Sequence, residues 1–180
     1  MKRLAAFVLA LLVMSSGTAL AQDTGDFSAG YRFLRTDGVN FGKGWYVDVA
    51  GHVTEVVSIV GEVAGTYKSF SETFQGITVE ADASLHTFMG GARLRVPVEN
   101  MNLAPFGQIL FGVGNARASA SGGGASFSDS QSDGAMSVSG GVDVNGSGAL
   151  GLRVMAGWLR DFSEGGGNAF TFSIGAKFAF

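Results

Sequence analysis

The sequence predicts an all-β fold, an eight-stranded antiparallel up-and-down transmembrane β-barrel. Three observations predict it. Apolar residues recur on every second position in eight separate blocks, which is the repeat of strands with two unlike faces. Mean hydropathy is positive at +0.27, yet after residue 21 no apolar stretch approaches the about 20 residues that a spanning helix needs. The connections between blocks alternate between long and short, as in a meander whose two ends emerge on different sides of a membrane. Composition agrees, since 29 glycines and 15 phenylalanines with only two prolines suit turns and aromatic-rich strands.

The first element precedes the strands. MKRLAAFVLALLVMSSGTALA has a basic start at Lys2 and Arg3, an apolar run from Leu4 to Met14, and small residues closing on Ala21. This is the layout of a secretory signal peptide cleaved before Gln22. The domain organisation expected is therefore a cleaved signal at 1–21 and one barrel domain at 22–180. Without Lys2 and Arg3, ten basic residues face fifteen acidic ones and no Lys/Arg cluster remains, which argues against nucleic acid as a partner. An exported chain with no cysteine must also be held together without disulfides.

The eight blocks follow in order. In the first, around 27–35, Phe27, Ala29, Tyr31 and Phe33 alternate with Ser28, Gly30 and Arg32. The second sets Trp45, Val47 and Val49 against Tyr46, Asp48 and Ala50; the third sets Val57, Ile59 and Val63 against Ser58 and Glu62. The fourth has Phe88, Ala92 and Leu94 opposite Thr87, Arg93 and Arg95, and the fifth has Ile109, Phe111 and Val113 opposite Gln108. In the sixth, Met136, Val138, Val142 and Val144 alternate with Ser137, Ser139 and Asp143. The seventh pairs Leu152, Val154, Ala156 and Trp158 with Arg153 and Met155. The eighth is the terminal TFSIGAKFAF, with Phe172, Ile174, Phe178 and Phe180 on one face and Lys177 on the other.

Charge falls on the less apolar parity throughout. Arg32, Asp48, Glu62, Arg93, Asp143, Arg153 and Lys177, with Gln108, should therefore point into the lumen. Eight strands leave a bore just wide enough for side chains to fill, so four cations and three anions there predict a salt-bridged plug. Tyr31, Trp45, Tyr67, Trp158 and Phe170 are expected at the two membrane interfaces, where aromatic girdles sit.

Segments near 36–44, 68–81, 116–133 and 161–168 read as long polar loops, and those near 54–56, 96–102 and 145–149 as short turns. An even strand count puts both termini at the short-turn end. The longest connection, ARASASGGGASFSDSQSD, is of low complexity and reads as a mobile surface loop. Its glycines match no phosphate-cradle pattern.

The two histidines offer little chemistry. His52 and His86 lack metal-ligand spacing, and no cofactor motif accompanies them. Ser84 lies two residues from His86 with Glu80 and Asp82 nearby, which sketches a hydrolase set. A wetted interfacial His86 is the simpler reading, and no enzyme is expected.

Together the segments GWYVDVAGHV, SIVGEVAGTY, FMGGARLRV, APFGQILFGVG, GGVDV and LGLRVMAGWLRD, in this order and ahead of a terminal Phe180, resemble the small bacterial outer-membrane barrels of the OmpA-like, eight-stranded kind. The resemblance implies an outer-membrane location, with outer-membrane lipids around the barrel. It also implies that the aromatic last strand, through Phe172, Ile174, Phe178 and Phe180, is read by the outer-membrane assembly machinery. OmpA-like proteins often continue into a peptidoglycan-binding domain; none follows the last strand here, so cell-wall tethering is not expected. The function expected is a monomeric, integral outer-membrane barrel with a structural or surface-interaction role and a lumen closed by charged side chains. A narrow pore and a soluble lipocalin-like ligand-binding barrel, with its aromatic parity inward, are the other readings.

Overall fold

The computed structural model describes residues 24–36, 39–74, 77–96, 98, 102–122, 125–145, 149–163 and 166–180. The signal peptide expected at 1–21 lies outside them. The strands are β1 Gly25–Thr36, β2 Val39–Phe41, β3 Lys43–His52, β4 Val57–Phe74, β5 Ile77–Arg95, β6 Leu103–Gly122, β7 Ala125–Asn145, β8 Leu150–Asp161 and β9 Asn168–Ala179. From β3 onward each pairs antiparallel with the next, β1 pairs with β3, and β9 returns to β1.

Eight strands close this ring, because β2 and β3 are one strand interrupted by a bulge. Tyr31 pairs with Trp45 but Leu34 with Phe41, so Gly42, Lys43 and Gly44 oppose only Arg32 and Phe33. A bulge of this kind bends the strand at a barrel rim. Glycine is needed there, since a Cβ on Gly44 would lie 2.4 Å from the Arg32 carbonyl oxygen.

The stagger follows from the register. Stepping from partner to partner, Asp26 leads to Ala50, Val60, Gly91, Leu110, Ser137, Leu159, Ala169 and finally Thr36. The path returns to β1 ten residues above its start, which fixes the shear at 10. With eight strands that shear corresponds to a tilt of about 41° and a radius of about 8 Å. Side chains fill a bore of this size.

Burial alternates with the pleat. On β9, Thr171, Ser173 and Lys177 are buried while Phe170, Phe172, Ile174 and Phe178 are exposed. The same inversion holds on β1, β3 and β4, where Asp26, Arg32, Asp48 and Glu62 are buried between exposed Phe27, Tyr31, Val49 and Ile59. The molecule's interior is thus its lumen, and most of its large apolar side chains face outward.

Three of the connections read as long loops are largely strand, and the first of them, 36–44, holds the end of β1, β2 and the start of β3. β4–β5 and β6–β7 stay paired up to Phe74 with Ile77 and Gly122 with Ala125, covering most of 68–81 and 116–133. β3 reaches only Tyr67 and β8 only Ala135, so these two hairpins rise above the barrel as a four-stranded ribbon. The low-complexity segment pairs because it too alternates, ARASAS and SFSDSQS, and because a neighbouring strand offers a backbone partner at each position.

Candidate functional site

The lower lumen, nearer the short turns, is a closed ion network. Arg153 donates from Nε to Asp143 Oδ1 at 2.7 Å, from Nη2 to Asp143 Oδ2 and Asp26 Oδ1 at 2.9 Å each, and from Nη1 to Asp48 Oδ1 at 2.7 Å. One guanidinium therefore serves three carboxylates, as its rigid fork of donors permits. Arg93 chelates Gln108 Oε1 at 2.9 and 2.7 Å and reaches Asp26 and Asp48 at 3.3 and 3.2 Å. Both guanidinium groups lie against the Phe106 ring, 4.8 and 5.1 Å from its centroid. The buried ring holds two like charges in place through cation–π contact.

Asp26 also takes a hydrogen bond from Arg95 and lies 3.1 Å from His52 Nε2. Lys177 Nζ completes the layer, 3.3 Å from Asp143 and 3.2 Å from Asn145 Oδ1. Asp26, Asp48, Asp143, Arg93 and Arg153 are all fully buried, at 0% exposure. Charges so placed are tolerable only when paired and hydrogen-bonded, and the network here is nearly complete.

One layer higher, Arg32 forms a bidentate pair with Glu62 at 2.7 and 2.8 Å and donates from Nε to Ser173 Oγ at 2.9 Å. Its guanidinium sits 5.2 Å over the Tyr46 ring. Above it Leu34, Leu85, Met89 and Leu159 close over Arg32 together with the buried Thr66, Thr87, Ser137 and Thr171, and the apolar cluster to which Leu34, Met89 and Leu159 belong runs on through Leu110, Ala135 and Ala169 and down to Ala50 and Val60. The cavity between Arg32 and this layer holds only about 10 Å³, roughly one water. Ions below and a mixed packing of apolar, Thr and Ser side chains above both block the bore.

All eight lumen residues named from parity, Arg32, Asp48, Glu62, Arg93, Gln108, Asp143, Arg153 and Lys177, are buried in this interior. Asp26, Arg95, Tyr46 and Phe106 belong to it as well and were not among them. Asp26 stands two positions before Ser28 on the Arg32 parity, one step beyond the first block. Phe106 is a large aromatic on the Gln108 parity, a mismatch that marks its role as a platform.

The outer surface carries the aromatic residues. Trp45 Nε1 donates to the Tyr67 hydroxyl at 3.2 Å, and that hydroxyl lies 3.0 Å from His86 Nε2 with the two rings 5.4 Å apart, edge to face. Trp158 and Phe170 are cross-strand partners. Tyr31 differs, being the seventh residue of twelve in β1, although its hydroxyl donates to the Gly42 carbonyl at the bulge. Phe172, Ile174, Phe178 and Phe180 are 40–47% exposed along β9 and just beyond it. Tyr67 rather than Ser84 holds His86 Nε2, so the sequence-level triad of Ser84, His86 and an acid is not assembled as a relay.

No family model matches the sequence, and no curated protein matches it. Solved structures do match the fold. Ail, the attachment invasion locus protein of Yersinia pestis, aligns over 87% of this chain and 97% of its own with a TM-score of 0.62 at 19% identity. Neisserial surface protein A aligns over 87% and 96% with a TM-score of 0.61 at 12% identity. The N-terminal β-barrel domain of Pseudomonas aeruginosa OprF aligns over 87% and 99% with a TM-score of 0.51 at 9% identity. The chain has the fold of these small eight-stranded barrels.

Proposed function

We propose that this chain is an integral outer-membrane β-barrel with a sealed lumen, and that its surface-interaction role is carried by the long-loop end. One observation carries the reading: charge is buried inside, and Phe27, Ile59, Phe88, Ile109, Phe111, Val113, Val138 and Ile174 are exposed outside. That inversion is costly in water and is required in lipid. Ten residues of strand at this tilt climb about 25 Å, which matches the apolar band of membrane barrels. Ail is described as an outer membrane protein and has been solved in a phospholipid bilayer nanodisc, which supports the same setting here.

A soluble lipocalin-like barrel would need an apolar cavity inside and a polar exterior, the reverse of this arrangement. The signal at 1–21, the single barrel domain at 22–180, the monomeric state and the recognition of Phe172, Ile174, Phe178 and Phe180 by the assembly machinery belong to the same proposal. A structural role would leave the ribbon without purpose. Its 640 Å³ concavity between Tyr67, Asp82 and Arg117 suits recognition better.

The closed lumen is tested by planar-bilayer recording on refolded protein. The bilayer should show no steady unitary conductance. Discrete, long-lived openings would replace the sealed barrel with a narrow pore.

A further inference from the structure

Ten Lys and Arg residues follow residue 21, and the pleat sorts them. Arg32, Lys68, Arg93, Arg95, Arg153 and Lys177 take the parity of the lumen, whereas Arg35, Lys43, Arg117 and Arg160 take that of the lipid-facing wall. All four outward cations stand at the long-loop end, and none faces outward at the short-turn end. Arg117 is high on the ribbon. The other three gather on the low side of the rim, along the consecutive run β8, β9, β1 and β3.

Three of these strands repeat one order up the wall. On β8 Trp158 is followed by Arg160, on β1 Phe33 is followed by Arg35, and on β3, which runs the other way, Lys43 precedes Trp45. Between them β9 carries Phe170, the cross-strand partner of both Trp158 and Arg35. Below the aromatic residues the wall is apolar. Apolar, aromatic and cation, in that order, are what hydrocarbon, interface and headgroup each favour.

Arg35, Lys43 and Arg160 are exposed, and among the described residues none of them forms an ion pair. Asp133 and Asp161, the described carboxylates at this height, take the inward parity. Arg35 and Lys43 are on neighbouring strands, and Arg160 is two strands from Arg35, about 10 Å across the sheet. Long side chains can close that gap around one headgroup.

We propose that this arc binds the phosphate of a net-anionic lipid in the leaflet at the long-loop end, with the lipid's chains lying on the wall between Trp158 and Trp45. Cations that only anchor a barrel accept any headgroup. Three unpaired cations with no outward carboxylate beside them select by net charge, because a zwitterionic headgroup brings its own ammonium to the phosphate. The proposal rests on the membrane reading for the lipid around the wall.

The chain supplies its own reporters, since Trp45 and Trp158 are its only tryptophans and both lie directly under the arc. The test places the refolded barrel in phosphatidylcholine nanodiscs doped, at equal mole fraction, with phosphatidylglycerol or phosphatidylcholine brominated high on the acyl chains, which quenches nearby Trp fluorescence. At low salt the brominated phosphatidylglycerol should quench as though enriched about fivefold. The excess should vanish at about 1 M salt. The triple variant R35Q/K43Q/R160Q should lose the excess, whereas Lys68→Gln, on the inward parity, should keep it. Heat-modifiable gel migration checks that each variant is folded. Inorganic phosphate should compete no better than chloride at equal ionic strength; stronger competition would assign the arc to free phosphate and overturn the lipid. Equal quenching by the two brominated lipids, or an excess that survives the triple variant, would overturn the proposal while leaving the barrel in its membrane. No quenching by either lipid would place the wall outside the bilayer and sink the membrane reading together with the lipid site.

Discussion

Arg153→Ala should lower the unfolding midpoint of the refolded barrel more than any single exterior substitution to alanine. The side chain is fully buried and pairs with Asp26, Asp48 and Asp143. Removing it leaves three carboxylates in the lumen with fewer cations than they need, and breaking a buried pair in this way costs about 3–5 kcal/mol. The loss should be non-additive. Once Arg153 is gone, Asp143→Asn should recover part of the stability, because it removes one of the stranded charges, whereas the same substitution alone should destabilise. Urea unfolding of the four proteins in detergent, followed by Trp fluorescence, measures both effects. A midpoint unmoved by Arg153→Ala would mean that the lumen is wet and that its ion network is not what holds the barrel.

The second large effect belongs to the other face of the wall. Ile174 is 40% exposed on β9, between Tyr31 on β1 and Val154 on β8. A lysine there would enter the lipid near the middle of the apolar band, at a cost of about 2–4 kcal/mol. The adjacent in-facing position behaves differently. Ser173→Ala loses only the hydrogen bond from Arg32 Nε at 2.9 Å, worth about 0.5–1.5 kcal/mol. Ser173→Lys is no milder control, because it would bring a second cation against Arg32. Unfolding in lipid vesicles should rank Ile174→Lys well below Ser173→Ala. The opposite ranking would turn the wall inside out.

Parity alone made much of this legible. A strand with one face in lipid and one in a packed lumen cannot hide its period, so Arg32, Asp48, Glu62, Arg93, Gln108, Asp143, Arg153 and Lys177 all stand out from their apolar neighbours. What parity cannot give is the partner. Arg153 on β8 meets Asp26 on β1 over the intervening β9, 127 residues away in sequence, and only the closed ring brings them together. Asp26 escaped because it sits at the start of β1, where a turn and a strand end look alike. The bulge at Gly42–Gly44 escaped because one extra residue in a glycine-rich segment leaves no periodic trace. The ribbon was hidden by its composition, since alanine and serine give too little contrast for their alternation to read as two faces.

Cell fractionation followed by heat-modifiable gel migration tests the central claim most directly. The account predicts that the protein pellets with the outer membrane, needs detergent for extraction, and migrates as a compact form unheated and as a slower unfolded form after boiling. Recovery from the soluble periplasm without detergent would contradict it, because a barrel with this exterior could not remain dispersed in water.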